Sequence, residues 1–353
     1  MRRERRPWSS KGDELAAGCP AAFKKMNYEE IFTFANLFKA HKKTKKGKLR
    51  KEEVESFDLD KGHELFLLSE SLRKKTYRIS PYKTFYIYEP KKRRVDATSY
   101  KDRVVQNCFV DNYLYPLLDK VLIEDNAACR KKKGTDYARK GLISFLEEAY
   151  KIYGDEFYVL SFDIHHYFES IDHGVLKEKL KEIVHDEEVY SFLAMVIDSF
   201  GGETGLPLGN QTSQCFALYY LDGIDHLIKE RFPWYTRYMD DGIILSGSKE
   251  SLQKLLLVLK EELASLKLSF NMKKTGVFSV RQGVTYLGFT YHLRKNGKPF
   301  IKMAYKKRRR LNRYLSKASL SYETLLSYRN YLKIRSHEYG LIAKIETLMG
   351  KAS

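Results

Sequence analysis

Residues 235–247 read YTRYMDDGIILSG and place two adjacent carboxylates, Asp240 and Asp241, between two short apolar runs. The apolar runs predict a β-hairpin with both carboxylates at its tip. Like charges side by side repel each other, and a solvated turn is one environment that tolerates them. A metal site is another, and it requires a third carboxylate, positive charge for phosphate groups and a large basic surface. All three features occur elsewhere in the chain.

The third carboxylate is Asp163, in the stretch YVLSFDIHHYF at residues 158–168. An aspartate that ends an apolar strand is poorly hydrated and needs a cation or several hydrogen-bond donors nearby. Taken alone, Asp163 would serve as a helix cap. Three carboxylates brought together at strand ends require a divalent cation, and Mg²⁺ leaves room for water and phosphate oxygens. Two such ions clamp an in-line displacement at phosphorus, so the pattern predicts nucleotidyl transfer.

The composition predicts a folded chain with a polyanionic partner. Its 353 residues include 64 Lys and Arg against 45 Asp and Glu, a net charge of +19, which favours nucleic acid first and an anionic membrane second. No apolar run reaches membrane-spanning length, and the basic N-terminus lacks the apolar stretch of a signal peptide. The four cysteines have no metal-ligand spacing. These features predict a reduced, cytoplasmic chain that binds no membrane.

Hydrophobic periodicity predicts a mixture of helices and strands. The predicted helices cover residues 27–78, 101–123 and 249–266. KTFYIYEPKKRRVDA at 83–97 predicts a β-hairpin that turns at Pro90 and Lys91. Short strands are expected at 284–292, and a basic helical tail is expected after residue 293.

The motifs resemble those of reverse transcriptases over roughly residues 27–340. RYMDDG resembles the family's catalytic hairpin, and FDIHHYFESID resembles its first catalytic motif. The blocks PKKRR, DRVVQ, GLPLGNQTSQ, NMKKT and YLGF follow the family's order. The resemblance implies an α+β, right-hand polymerase fold. Its expected parts are an N-terminal extension (1–26), fingers with part of the palm (27–150), a palm with an antiparallel sheet and the catalytic motifs (151–292) and a short helical thumb (293–353).

The resemblance also implies catalytic and metal-binding roles. Asp163 and Asp240 would be the principal ligands of two Mg²⁺ ions, with Asp241 close by and the Ile164 carbonyl completing the coordination. Mn²⁺ would be able to substitute. Lys274 matches the lysine that protonates the leaving pyrophosphate.

Nucleotide-binding roles follow in the same way. Lys91 and Arg93 match the basic pair that grips the incoming triphosphate, where Arg supplies a bidentate fork and Lys a point charge. Phe168 falls where the family keeps a ring beneath the sugar, which would exclude a 2′-hydroxyl; an ordinary core phenylalanine is the alternative. Leu208 and Gly209 would contact the nascent base pair. Template and primer contacts are expected from Arg103, Gln214, Tyr286, Leu287, Gly288, Lys306, Arg309 and Arg313.

GLPLGNQTSQ at 205–214 predicts a loop that opens a helix, with Thr212 or Ser213 as its N-cap. Most reverse transcriptases have Gln-Gly where this chain has Leu208 and Gly209, and an aliphatic side chain cannot hydrogen-bond the nascent pair. The pattern of an aliphatic residue followed by Gly209, Asn210, Ser213 and Gln214 resembles the diversity-generating retroelement reverse transcriptases. These enzymes are a branch of the bacterial group II intron and retron-like superfamily, and they copy RNA with errors at adenines. The alternative is that Leu208 only repacks the loop and fidelity is intact.

Three functional hypotheses follow. The first is an error-prone RNA-directed DNA polymerase of a diversity-generating retroelement, acting with template RNA, primer, dNTPs, a structured non-coding RNA and a small basic helical accessory protein. The second is an antiphage-defence reverse transcriptase that makes cDNA from a dedicated non-coding RNA. The third is a non-catalytic RNA-binding protein on a polymerase scaffold, which would have no reason to keep clustered carboxylates facing a polyanion.

Overall fold

The centre of the molecule is a four-stranded antiparallel sheet, seen in a computed structural model that describes residues 26–88, 92–316 and 320–352. In spatial order its strands are β4 (Tyr235–Tyr238), β5 (Asp241–Ser246), β3 (Tyr158–Asp163) and β6 (Gly276–Ser279). The register places Asp163 directly opposite Asp241. Both faces of the sheet are buried, because Leu160 and Ile244 pack into one core and Val159 and Leu245 into another.

Helices α1 to α6 and a basic hairpin occupy the part of the chain up to residue 121 that the structure describes. The helices are α1 (Tyr28–Ile31), α2 (Phe34–Thr44), α3 (Glu52–Leu59), α4 (Lys61–Arg73), α5 (Tyr100–Phe109) and α6 (Tyr115–Val121), with a π-helical turn at Val110–Leu114. The side chains of Asn27, Thr33 and Ser99 cap α1, α2 and α5. The predicted hairpin is confirmed as β1 (Lys83–Ile87) paired with β2 (Arg93–Ala97), and its turn at 89–91 lies outside the described residues.

A second set of helices follows α6 in the chain. They are α7 (Thr135–Tyr153), α8 (Tyr167–Ser170), α9 (His173–Ile183), α10 (Glu187–Asp198), α11 (Gln211–Tyr220), α12 (Asp222–Lys229) and α13 (Lys249–Ser265). The predicted N-cap of α11 is wrong, because Asn210 occupies that position and both Thr212 and Ser213 lie inside the helix. The Thr212 hydroxyl instead donates to Gln106 Oε1 at 3.0 Å, a contact between distant parts of the chain.

A second antiparallel sheet precedes the C-terminal helices in the chain. Its strands are β7 (Val284–Tyr286), β8 (Phe289–Leu293) and β9 (Pro299–Met303). The prediction that the chain is helical from residue 293 is therefore wrong at β9, where alternate residues Ile301 and Met303 are buried. The helices α14 (Tyr305–Leu315), α15 (Tyr322–Arg335) and α16 (Tyr339–Ala352) follow and share a separate apolar core. Across the described ranges, none of the helices combines the length and apolarity that crossing a bilayer requires.

Candidate active site

Three aspartates lie near one another at one end of the central strands β3 and β5. Asp163 is the last residue of β3, and Asp241 is the first residue of β5 and its direct partner in the ladder. Asp240 lies in the turn between β4 and β5, and its carbonyl accepts a hydrogen bond from the Ile164 amide at 3.2 Å. The hairpin and strand predicted from the sequence therefore bring their carboxylates together, because antiparallel pairing aligns the end of β3 with the start of β5.

The surroundings of Asp240 and Asp241 disfavour a negative charge on both carboxylates. Burial, followed by the neighbouring Asp240 and Asp163, raises the pKa of Asp241 to about 7. Burial also raises the pKa of Asp240, and Asp163 adds to that shift. Clustered carboxylates with raised pKa values are stabilised as anions by a cation, and an all-oxygen donor set suits a hard divalent ion.

Asp163 is held by the loop that follows α13. Asn271 Nδ2 donates to its Oδ1 at 2.9 Å, and Lys274 Nζ forms an ion pair with its Oδ2 at 2.6 Å. The Asn271 amide also donates to the Asp163 carbonyl at 2.8 Å. Both oxygens of the Asp163 carboxylate are engaged by these donors. Among the described residues, no three His, Cys, Asp or Glu side chains are arranged to hold a metal ion. The Lys274 side chain is more than half exposed, so an exchange of this ion pair for a metal ion needs little desolvation.

A buried arginine in β4, one strand of the hairpin, helps to position Asp240 and was not predicted from the sequence. Arg237 is 0% exposed, and its Nε and Nη2 donate to Asp225 at 2.7 and 2.6 Å. Its Nη1 donates to the carbonyl of Met239 at 2.7 Å, and Met239 itself has a φ of +58°, in the left-handed region. Arg237 thus fixes the strained turn that presents Asp240. A charged residue within an otherwise apolar strand was the available signal.

The other half of this ion pair is equally enclosed. Asp225, on α12, is 0% exposed and also accepts from the Tyr235 hydroxyl at 2.6 Å and from Asn126 Nδ2 at 3.3 Å. The Arg237 backbone pairs with the segment around Asn126, since its amide donates to the Asp125 carbonyl at 3.2 Å. The hairpin is therefore held by both backbone and side-chain contacts to two other segments.

Two elements carry the residues predicted to line the nucleotide pocket. Phe168 lies in α8, which follows Asp163 in the chain, and Leu208 and Gly209 lie in the loop before α11. The Leu206 amide donates to the Phe168 carbonyl at 2.8 Å, which joins the first catalytic motif to the loop that carries Leu208. Phe168 and Leu208 are both partly exposed, and Gly209 is exposed with a φ of +104°, a conformation that favours glycine. Thr98 Oγ1 donates to Asn210 Oδ1 at 3.3 Å and connects this loop to the end of β2.

The predicted nucleic-acid contacts differ in their exposure. Lys306, Arg309 and Arg313 are exposed, whereas Arg103, Gln214, Leu287 and Gly288 are partly buried. Arg93, which is predicted to bind the incoming triphosphate, is also exposed. Tyr286 is buried in the core beneath the second sheet, so its ring is not available to a primer and any contact there falls to the turn at Leu287 and Gly288. Lys91 lies outside the described residues, and its role stays a prediction.

Comparison with known families identifies the class of protein. The model of the family described as "Reverse transcriptase (RNA-dependent DNA polymerase)" matches residues 72–291, which include the carboxylates, the Leu208 loop and the loop that holds Asp163. The chain belongs to the reverse transcriptase family. Members of this family polymerise DNA on an RNA template by nucleotidyl transfer and generally use divalent metal ions.

Solved structures give more distant similarities. Apo telomerase from Candida tropicalis matches with a TM-score of 0.47 and 13% identity over 64% of this chain and 49% of that chain. Telomerase from Candida albicans, in complex with the TWJ fragment of telomeric RNA, matches with a TM-score of 0.49 and 13% identity over 78% and 53%. This chain thus spans about half the length of these telomerases. A search of curated proteins finds no match.

Proposed function

We propose that this chain is an error-prone RNA-directed DNA polymerase that copies the template RNA of a diversity-generating retroelement. The observation that carries the proposal is the partly exposed aliphatic Leu208, in a loop hydrogen-bonded to the first catalytic motif, where most reverse transcriptases place an amide. An aliphatic contact supplies no hydrogen bond to the nascent base pair, and discrimination that depends on one polar contact is then lost.

The catalytic roles are proposed from the family resemblance, and the pairing of Asp163 with Asp241 at the end of the sheet supports them. Asp163, Asp240, Asp241 and the Ile164 carbonyl would hold two Mg²⁺ ions, for which the all-oxygen donor set is suited. When bound, such ions stabilise the attacking and leaving oxygens of a phosphoryl displacement. Asn271 orients Asp163, and Lys274, which lies 2.6 Å from that carboxylate, is placed to give a proton to the departing pyrophosphate.

The partners follow from the chemistry and from the resemblance. A template RNA, a primer or growing cDNA and dNTPs are required by the reaction, and the net charge of +19 favours them. The exposed cations Lys306, Arg309 and Arg313 lie on one helix, α14, and suit phosphate contacts of the duplex. The structured non-coding RNA, the small basic accessory protein and the cytoplasmic location rest on the family resemblance and the composition.

Sequencing of the DNA made by the purified protein tests the proposal. The protein is given a defined mixed-sequence RNA template, a primer, four dNTPs and Mg²⁺, and the copies are sequenced deeply. We expect errors concentrated opposite template adenines. Faithful copies would contradict error-prone copying, and repetitive products unrelated to the template would favour the antiphage-defence function.

Substitution of Leu208 should restore discrimination. We expect Leu208→Gln to lower the error frequency opposite adenines about tenfold, because the amide supplies a hydrogen bond to the nascent pair. Leu208→Met is the matched control, since it keeps an apolar side chain of similar volume and should leave the errors unchanged. An unchanged error spectrum in Leu208→Gln would mean that Leu208 only packs the loop.

Removal of the Phe168 ring should admit ribonucleotides. We expect Phe168→Ala to raise the ratio of rNTP to dNTP incorporation efficiency at least about tenfold, because the ring no longer collides with the 2′-hydroxyl. The backbone hydrogen bond from Leu206 does not depend on the side chain, so the loop should keep its position. Phe168→Tyr keeps the ring and should keep the exclusion. Equal ratios in the wild type and Phe168→Ala would make Phe168 an ordinary packed residue.

A further inference from the structure

Another buried arginine, Arg139, joins three segments that are far apart in the sequence. It lies on helix α7 and is 5% exposed. Its Nε donates to the Tyr291 hydroxyl in β8 at 2.9 Å, and its Nη2 donates to the Arg335 carbonyl at the end of α15 at 2.5 Å. Burial of a guanidinium is costly, and an apolar side chain of similar size would often pack there at lower cost. The burial of a charge at this point therefore indicates a geometric role.

Aromatic rings complete the surroundings of Arg139. Its guanidinium carbon lies 4.0 Å from the centroid of the Phe289 ring, and a cation over a ring is stabilised most where water is excluded. The Phe289 and Tyr331 rings are 5.8 Å apart. Tyr331, on α15, packs against both the core beneath the second sheet and the core of the C-terminal helices. We define the Arg139 junction as Arg139, Phe289, Tyr291, Tyr331 and the Arg335 carbonyl.

An exposed ion pair lies beside the buried contacts. The Arg335 guanidinium donates to the two carboxylate oxygens of Asp136, in the first turn of α7, at 2.8 and 2.5 Å. The Asp136 side chain is 50% exposed, and exposed ion pairs contribute little to stability. The buried hydrogen bond from Arg139 to the Arg335 carbonyl is therefore the stronger of these two links between α7 and α15.

Two elements with predicted duplex contacts adjoin the Arg139 junction. Phe289 directly follows the turn whose Gly288 carbonyl accepts a hydrogen bond from the Ala304 amide, just before α14, at 3.1 Å. Lys307, in the first turn of α14, donates to the Tyr331 hydroxyl at 2.7 Å. The turn and the cationic helix α14 are thus both attached to the junction.

We propose that Arg139 is a positioning residue that holds the turn at Gly288 and the C-terminal helices in one fixed arrangement, and that this arrangement sets how long the enzyme stays on its primer–template duplex. The inference rests on the proposed function only in requiring that the chain binds such a duplex. Two surfaces that engage one duplex together bind it more tightly than either surface alone, and the gain is lost when their relative position is no longer fixed. Loss of Arg139 should therefore speed dissociation of the duplex and leave the chemical step unchanged.

Dissociation of a labelled RNA–DNA primer–template duplex, chased with excess unlabelled duplex and followed by fluorescence anisotropy, tests the proposal without any requirement for catalysis. We expect Arg139→Met to raise the dissociation rate about tenfold, because changes in affinity appear mostly in that rate. The number of nucleotides added per binding event, measured with a heparin trap, should fall by a similar factor. The single-turnover rate of the first incorporation should stay at the wild-type value.

Three further variants separate positioning from a general loss of stability. Arg281→Met makes the same substitution at an exposed arginine that donates twice to Asp155, and it should leave every measurement unchanged. Leu146→Ala opens a cavity at a buried site of the same helix α7, so it should lower the melting temperature and leave the dissociation rate within about twofold of the wild type. Arg139→Lys keeps the charge and replaces the planar fork by a point donor, so it should fold and still raise the dissociation rate, by less than Arg139→Met.

The comparison of these variants decides the proposal. A wild-type dissociation rate in Arg139→Met, or in Arg139→Lys where the methionine variant does not fold, would overturn it. An equally fast dissociation in Leu146→Ala would also overturn it, as would a fall in the first incorporation rate as large as the rise in dissociation. Failure of the proposed function would instead appear in the wild type, as an absence of DNA synthesis or as faithful copying.

Discussion

Replacement of Asp240 and Asp241 together by alanine will abolish DNA synthesis, with a fall in the rate of single-nucleotide incorporation of at least about 10³-fold. Asp241 lies opposite Asp163 at the end of the sheet and Asp240 precedes it in the turn, and under the proposed function the two carboxylates would supply oxygen ligands for the metal ions. RNA affinity should stay close to that of the wild type, because template contacts depend on cations elsewhere. Incorporation is measured in single-turnover primer extension, and affinity by filter binding.

Thermal unfolding adds a second test of the same pair. Burial raises the pKa of both groups and repulsion from Asp163 adds to each shift, so their removal relieves an unfavourable interaction in the folded protein. The double variant should therefore unfold at the same temperature as the wild type or at a higher one, as expected where function costs stability. Asp198→Asn, a change at an exposed aspartate paired with Lys177, is the control and should retain full activity. Full activity in the double variant would contradict the assignment of the metal ligands.

Arg237→Met is expected to lower the free energy of unfolding by about 3–5 kcal/mol, because it leaves the fully buried Asp225 carboxylate without its cation. The same change releases the hydrogen bond to the Met239 carbonyl, so the turn that carries Asp240 loses its fixed geometry. The incorporation rate should fall while the KM for dNTP changes little, since Arg237 acts through the carboxylates. Urea denaturation gives the free energy, and primer extension gives the rate and KM.

A double substitution separates the effect of the buried ion pair on stability from the effect of the turn geometry on activity. Arg237→Met combined with Asp225→Asn removes both charges and should recover part of the lost stability without restoring the rate, because the bond to the Met239 carbonyl stays absent. An Arg237→Met protein with wild-type stability would show that Asp225 is adequately satisfied by Tyr235 and Asn126. Wild-type activity would remove Arg237 from the positioning of the hairpin.

The sequence predicts the parts of the site that depend on local pattern. Apolar runs place Asp163 at the end of β3 and Asp241 at the start of β5, and the antiparallel pairing of the two strands then brings the carboxylates together. The hairpin at 83–97 is predicted by the alternation of its residues, and helix α13 by apolar residues spaced three to four apart. Each of these strands and helices, taken singly, is encoded by residues close together in the sequence.

Other features depend on contacts between distant segments and leave little local signal. Arg237 is recognisable as an anchor only when Asp225 is known to lie beneath it, and Thr212 gives its hydroxyl to Gln106 instead of capping α11. Tyr286 looks like a primer contact in the motif, yet packing of the second sheet buries its ring. The strand β9 was hidden because lysine-rich flanking sequence masks the alternation of Ile301 and Met303.

The most direct measurement of the central claim is primer extension by the purified wild-type protein on a defined RNA template with labelled dNTPs, in Mg²⁺ and in excess chelator. We predict labelled DNA complementary to the RNA in Mg²⁺ and none in chelator. Tight RNA binding without incorporation in either Mg²⁺ or Mn²⁺ would contradict the account and favour an RNA-binding protein on a polymerase scaffold.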